Sequence, residues 1–165
     1  MIPYRFDPDA PCPNRDAFLA TVTGGDAALA AYLQRAVGYA LIGGNPERVL
    51  LILHGEGRNG KSTFLETLKT VFADYAKTTA PSTLIAKRGD SIPNDVPALK
   101  GARFVTATET EDGGKFAAGL IKQMTGNDEI SARFMRAEWF SFRPDFTICL
   151  ATNHKTRIPG NDQAI

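Results

Sequence analysis

The sequence has little of what staples a fold or holds a metal: 165 residues carry two cysteines, two histidines and one tryptophan. Cys12 and Cys149 stand too far apart for a disulfide framework or the paired spacing of a zinc site. No apolar run approaches the roughly 18 residues that a membrane-spanning helix needs. The N-terminus, M-I-P-Y-R-F-D-P-D-A, lacks the charged-then-apolar order of a secretory signal. Charge of one sign is also missing. Nineteen Lys plus Arg against eighteen Asp plus Glu leave +1, which excludes a polybasic protein but not a local basic patch. There is no internal repeat and no low-complexity tract. What remains is 43% hydrophobic and 22% charged, the proportions of a packed domain. A reduced cytoplasmic setting, with no membrane, is the expectation.

Four of the ten prolines fall in residues 1–16, which read as an extended arm. From Asp26, a candidate N-cap, Leu29, Tyr32, Leu33, Ala36, Val37 and Ala40 follow helical spacing up to a stop at Gly43 and Gly44. V-L-L-I-L at 49–53 reads as a strand buried on both faces. A helix from about Lys61 places Phe64, Leu68, Val71 and Phe72 on one stripe. Residues 77–100 are punctuated by prolines and assign poorly. A strand at 103–108 follows, then a helix with Ala117, Leu120, Ile121 and Met124 on one face. Residues 131–143 suggest a β-hairpin turning near Ala137 and Glu138, and a last strand spans 146–151. Strands alternating with helices imply an α/β fold with a parallel sheet between helices.

The sharpest motif is G-E-G-R-N-G-K-S at 55–62, which satisfies G-x-x-x-x-G-K-[S/T] between a strand and an amphipathic helix. Gly55, Glu56, Gly57, Arg58, Asn59 and Gly60 would turn backbone N–H groups inward around phosphate oxygens, and the helix N-terminus adds a favourable dipole. Lys61 supplies a mobile positive charge for the β- and γ-phosphates, Ser62 a hydroxyl for Mg²⁺, and Thr63 completes the loop. Such a site also needs a carboxylate at a strand end, to hold Mg²⁺ and activate water. Glu109, directly after the strand at 103–108, is the first candidate and Glu111 the second; solvated loop acids are the alternative. Asn153, after the last strand, could hydrogen-bond the γ-phosphate or the attacking water, although asparagine is also a common turn residue.

Residues 113–165 hold seven basic and five acidic groups. Arg133, Arg136 and Arg143 lie there beside Phe134, Trp139, Phe140 and Phe142, a mixture that suits phosphate contact and base stacking. Core packing and solvated arginines would give the same composition. His54 and His154 flank candidate site residues without forming a metal-ligand set, and Cys149 reads as core.

In order along the chain, these motifs resemble the helicase module of phage and plasmid primase-helicases, superfamily III within the AAA+ ATPases. Y-L-Q-R-A-V-G-Y-A-L at 32–41 is similar to the helical region before that motor, and G-R-N-G-K-S-T at 57–63 to its Walker A loop. G-A-R-F-V-T-A-T-E-T-E at 101–111 is similar to its Walker B segment. I-K-Q-M-T-G-N-D-E-I-S-A-R at 121–133 resembles the approach to its DNA-binding hairpin, and F-T-I-C-L-A-T-N-H-K at 146–155 resembles motif C with its sensor asparagine.

The resemblance implies a P-loop AAA+-type sheet at 46–165 behind an arm and helical extension at 1–45. It implies that Lys61, Ser62 and Glu109 serve MgATP and that Asn153 senses the γ-phosphate. It further implies that Arg133 and Arg136, with Lys122, face single-stranded DNA in the channel of a homo-oligomeric ring, usually a hexamer, in a phage- or plasmid-borne replication system of a bacterial cytoplasm. Two departures qualify the match. The acids read Glu109-Thr110-Glu111 where many members have two adjacent acids. The chain also stops at N-D-Q-A-I, before the family's arginine finger, so a C-terminally truncated ATP hydrolase that binds nucleotide but turns it over weakly is the expectation. A small-molecule P-loop kinase and a non-enzymatic DNA- or subunit-binding fragment are the alternatives.

Overall fold

Helix α1 (Pro13–Val22) opens on proline, whose fixed φ and missing N–H suit a first helical turn. The expected arm through residue 16 therefore ends at Cys12, four residues early. Helix α2 (Ala27–Ile42) starts on the Asp26 carboxylate, which accepts from the backbone N–H groups of Ala28 (2.8 Å) and Leu29 (3.0 Å). Its end is held by Arg103, whose guanidinium donates to the carbonyls of Leu41 (2.8 Å) and Ile42 and stacks 5.4 Å from the centre of the Tyr75 ring. Gly43, at φ 84°, is required there: a Cβ on it would lie 2.7 Å from Arg103 Nη1. Only part of the expected apolar face is buried, since Leu29 and Tyr32 are exposed while Val37, Ala40 and Leu41 meet the core.

These observations come from a computed structural model that describes residues 2–5, 7–86, 95–108 and 115–154. Its sheet comprises β1 (Leu50–His54), β2 (Ala76–Thr78), β3 (Phe104–Thr108) and β6 (Thr147–Thr152), all parallel, in the order β1-β6-β3-β2. Helix α3 (Lys61–Phe72) follows β1, and α4 (Ala118–Thr125) follows β3. A two-stranded antiparallel hairpin, β4 (Ile130–Ala132) and β5 (Phe140–Phe142), stands between α4 and β6.

Strand β6 carries the inside of the fold, with all six residues buried. Its alternation splits the core. Cys149 and Ala151 face α2 and α3, together with Phe104, Leu65 and Phe72. Ile148 and Leu150 face α4 and the hairpin with Val105, Ala107, Met124 and Phe142. Burial in this layer pushes the Cys149 thiol up to about 12.

Several expectations are corrected here. Strand β1 is not buried on both faces: among the described strands it pairs with β6 alone, and Ile52 stays 43% exposed. On α3, Val71 turns outward, and Leu65 takes the buried place that the apolar stripe assigned elsewhere. Residues 77–100 contain the end of the short strand β2, which is paired to β3. The hairpin turns at Met135 and Arg136, two residues earlier than expected, closed by Ala137 N–H donating to the Phe134 carbonyl (3.0 Å) with Arg136 at φ 60°.

Candidate phosphate-binding site

Parallel pairing brings the ends of three strands to one edge of the sheet. His54 at the end of β1 pairs with Thr152 of β6, and Thr108 at the end of β3 pairs with Ala151. The Gly-rich loop leaves from this edge, and the Gly55 N–H donates to the Thr152 carbonyl at 3.3 Å. Asn153, exposed, follows directly, in a turn pinned by Thr152 Oγ1 donating to the His154 carbonyl (2.8 Å) and by His154 N–H donating back to that hydroxyl (3.0 Å). Asn153 and the start of the loop, far apart in sequence, are thus neighbours. Glu109 and Glu111, and Lys155 with the rest of the C-terminus, lie outside the described residues.

Within the loop, Arg58 sits at φ 62° and Gly60 at φ 89°, two left-handed residues that reverse the chain into α3. Gly60 is the N-cap of that helix, and its carbonyl accepts the first helical bond from Phe64 N–H at 2.9 Å. The N–H groups of the first helical turn therefore point back toward the loop, as an anion site requires. The Asn59 side chain covers the loop's start so closely that a Cβ on Gly55 would lie 2.3 Å from Asn59 Nδ2.

The Lys61 ammonium spends its three donors on neutral acceptors: the carbonyls of Gly55 (2.6 Å) and Glu56 (3.1 Å) and the Asn59 Oδ1 (2.9 Å). Among the described residues no carboxylate pairs with it. The charge is held over the loop by weak neutral partners that a phosphate oxygen can outcompete. Ser62 and Thr63, next on α3, are exposed. These features fit a polyphosphate with its cation: donor-rich backbone, an ammonium held on neutral loop atoms and an adjacent hydroxyl.

The sequence pattern does not reveal that α1 leans on this loop. A Cβ on Gly60 would lie 2.6 Å from Val22 Cγ1 and 3.2 Å from the Phe18 ring. Beside that contact, α1, α2 and α3 enclose a cavity of about 380 Å³, with Phe18, Leu33, Val37 and Phe64 among its apolar walls and Asn14, Arg15 and Gln34 among its polar ones. Arg15 Nη2 donates to Gln34 Oε1 at 3.2 Å across the helix pair. The weak apolar pattern of α1 gives no signal of this role; Phe18, four residues before Val22, is its only trace.

The expected nucleic-acid residues divide. Arg133 and Arg136 are exposed on the hairpin, Arg133 lying 4.8 Å from the centre of the Trp139 ring. Lys122 is half-buried in the last turn of α4. Among the described residues no helix is long and apolar enough to cross a membrane.

Comparison with known proteins gives the chain's family and its fold. The profile of a family of unknown function, DUF5906, matches residues 53–164. The chain belongs to that family. It is 30% identical over 151 residues to the Acanthamoeba polyphaga mimivirus protein named "Putative helicase L207/L206", and 28% identical over 154 residues to "Putative helicase 022R" of Frog virus 3. Each alignment covers 90% of this chain and 16% of the viral protein. Among solved structures, the apo C-terminal region of NrS-1 superposes with a TM-score of 0.68 at 16% identity, covering 96% of this chain and 37% of that one. A second apo structure of the region (305–718) gives 0.70 at 13% identity. This DUF5906 member thus has the fold of the NrS-1 C-terminal region and spans a minor share of the length of these relatives.

Proposed function

We propose that this DUF5906 chain is the ATP-binding motor module of a replicative helicase of superfamily III, of the kind found in phage and plasmid primase-helicases. The observation that carries the reading is the Lys61 ammonium poised on neutral loop atoms, with the start of that loop bonded to Thr152, the residue before Asn153, at the same sheet edge. The viral relatives named as helicases support the class.

In this reading the triphosphate lies along residues 55–63. Loop and helix N–H groups bind its oxygens, and Lys61 leaves the Gly55 and Glu56 carbonyls for the β- and γ-phosphates. Ser62 and Glu109 would hold Mg²⁺, whose chemistry there is to neutralise charge on the phosphate oxygens. Glu109, or Glu111 in its place, takes the proton of the attacking water, and the Asn153 amide orients that water or the γ-phosphate without repelling either. The nucleotide's base enters the cavity between α1, α2 and α3, where Phe18 and Phe64 offer apolar faces and Gln34 an amide edge. Hydrolysis is coupled to movement on single-stranded DNA in a homo-oligomeric ring, a hexamer as in the family it resembles.

Binding of a fluorescent ATP analogue with Mg²⁺, compared between wild type and Lys61→Ala, tests the reading. Loss of about two charge-assisted hydrogen bonds, each about 1.5–3 kcal/mol, predicts binding weaker by on the order of 100-fold or more. Equal binding by the two proteins would place the nucleotide elsewhere. A second reading, a DNA- or subunit-binding fragment that keeps the loop as scaffold, is favoured by the exposed aromatic hairpin. DNA binding that is indifferent both to nucleotide and to Lys61→Ala would select it.

A further inference from the structure

Helix α1 is held at few points. None of its ten residues is buried, and Phe18, Leu19 and Val22 are only half-buried. The turn that joins it to α2 runs through Gly24 at φ 63° and Gly25 at φ 81°, and a Cβ on either would meet nothing within 4 Å. Two successive left-handed residues with free space around them make a joint that can swing without repacking its neighbours. Near this joint Val22 and Phe18 rest on Gly60 of the phosphate loop. Toward the other end of the helix, Arg15 Nη2 donates to Gln34 Oε1 at 3.2 Å. Among the described residues this is the one side-chain hydrogen bond between α1 and α2.

Beneath α1 the side chains do not meet. The cavity there, about 380 Å³, is floored by Leu33 and Val37 of α2 and by Phe64 and Leu68 of α3. An apolar void of about 150 Å³ takes a benzene ring, so this one has room for a two-ring base. The lining's own side chains do not fill the space, and α1 gains dispersion contacts on that face only from an occupant. Thr63, two residues after Lys61, is part of the wall, so an occupant is continuous with a phosphate on the loop.

We propose that α1 is a lid over the base of the nucleotide, hinged at Gly24 and Gly25 and latched by Arg15 on Gln34. The proposal rests on the reading that the triphosphate lies on residues 55–63 with its base in this cavity, and it adds how the base enters and is released. The lid swings out to admit the base, the base supplies the contacts that Phe18 and Leu19 lack, and the latch recloses. Because the same helix bears on Gly60, phosphates on the loop and a base in the cavity act on one element from two sides. Only a ligand with both parts closes the lid; an inorganic polyphosphate engages the loop alone. By reciprocity, whatever holds α1 down tightens nucleotide binding by the same factor that the nucleotide tightens α1.

Hydrogen–deuterium exchange of the chain alone, with magnesium tripolyphosphate and with MgATP separates the two parts. MgATP should slow exchange in residues 13–22 by on the order of 10-fold and protect 55–63 as well, whereas tripolyphosphate should protect 55–63 alone. Cys12, the exposed thiol at the start of α1, gives a second readout because Cys149 is buried. An environment-sensitive dye on Cys12 should respond to MgATP and not to tripolyphosphate. In stopped flow, Arg15→Ala should release a fluorescent ATP analogue about 2–10-fold faster, the net worth of one hydrogen bond. Protection of 55–63 by MgATP with 13–22 at its free rate overturns the lid and leaves the phosphate site standing. Equal protection of α1 by tripolyphosphate overturns the base as its operator. Exchange in 13–22 as slow as in α2 without any ligand also overturns the proposal, because a lid must open. A release rate from Arg15→Ala equal to wild type refutes the latch. If neither ligand protects 55–63, the nucleotide reading and the lid fall together.

Discussion

Replacing Gly60 by alanine probes the junction of loop, helix and N-terminal extension in one step. Two costs arise. The residue sits at φ 89°, left-handed backbone that disfavours a side chain by about 1–2 kcal/mol. The added methyl would also lie 2.6 Å from Val22 Cγ1 and 3.2 Å from the Phe18 ring, an overpacking worth about 1–3 kcal/mol. Their sum, about 2–5 kcal/mol, is a large part of the roughly 5–15 kcal/mol that holds a domain together. Urea denaturation should show this loss as a lower midpoint with an unchanged slope. Gly57→Ala is the control, because nothing lies within 4 Å of a Cβ there and its φ is not left-handed; a change within about 0.5 kcal/mol is expected. The decisive variant is the double Val22→Ala, Gly60→Ala. Removing the Val22 methyls relieves the steric part and leaves the backbone part, so the pair should couple by about 1–2 kcal/mol in a double-mutant cycle. Strict additivity would refute the packing of α1 against the loop, and with it the base cavity between α1, α2 and α3. A Gly60→Ala protein as stable as wild type would refute the left-handed turn as well.

Two further outcomes follow from the interior. Asp95 is partly buried, which alone would raise its carboxyl, but it accepts from the hydroxyls of Thr79 (2.6 Å) and Thr83 and from Ala80 N–H (3.4 Å), and these hold it below the usual carboxylate range. With the folded pKa depressed, its contribution is fully present above the unfolded value of about 3.9 and is lost as pH falls through the folded one. Asp95→Asn should therefore lower the melting temperature at neutral pH and shallow its fall below about pH 4; an unchanged acid limb would refute the assignment. Of the two thiols, Cys12 is exposed and Cys149 is buried and pushed up to about 12. An aromatic disulfide reagent at neutral pH should titrate one thiol in the native chain and two in urea, and a second rapid native thiol would contradict the packing of β6.

Local chemistry made much of this legible in the sequence. Asp26 caps α2 and Gly43 ends it because carboxylate and glycine act on their own neighbouring backbone, with no distant partner needed. The strand–loop–helix unit around Lys61 was readable for the same reason: a strand, a glycine-rich reversal and Lys61 at the start of α3 are consecutive in the chain. The alternation of strands and helices likewise gave the parallel sheet, and a hairpin was visible between α4 and β6. Strand order was not local. V-L-L-I-L reads as buried on both faces, yet β1 lies at the edge of the described sheet, and T-I-C-L-A-T of β6 is flanked by β1 and β3, with both core layers meeting on it. Nothing in the residue pattern announces that Phe18 and Val22 rest on Gly60, or that Lys77 and Lys100 line a groove with Phe134 and Phe140, since each contact joins segments with no periodic relation. The sequence by itself determined helices α2, α3 and α4, the strands β1, β3 and β6, the hairpin between α4 and β6 and the glycine-rich reversal before Lys61. Only tertiary packing decided which side chains surround that loop and which face of the hairpin is left open, because those depend on the order in which the strands assemble.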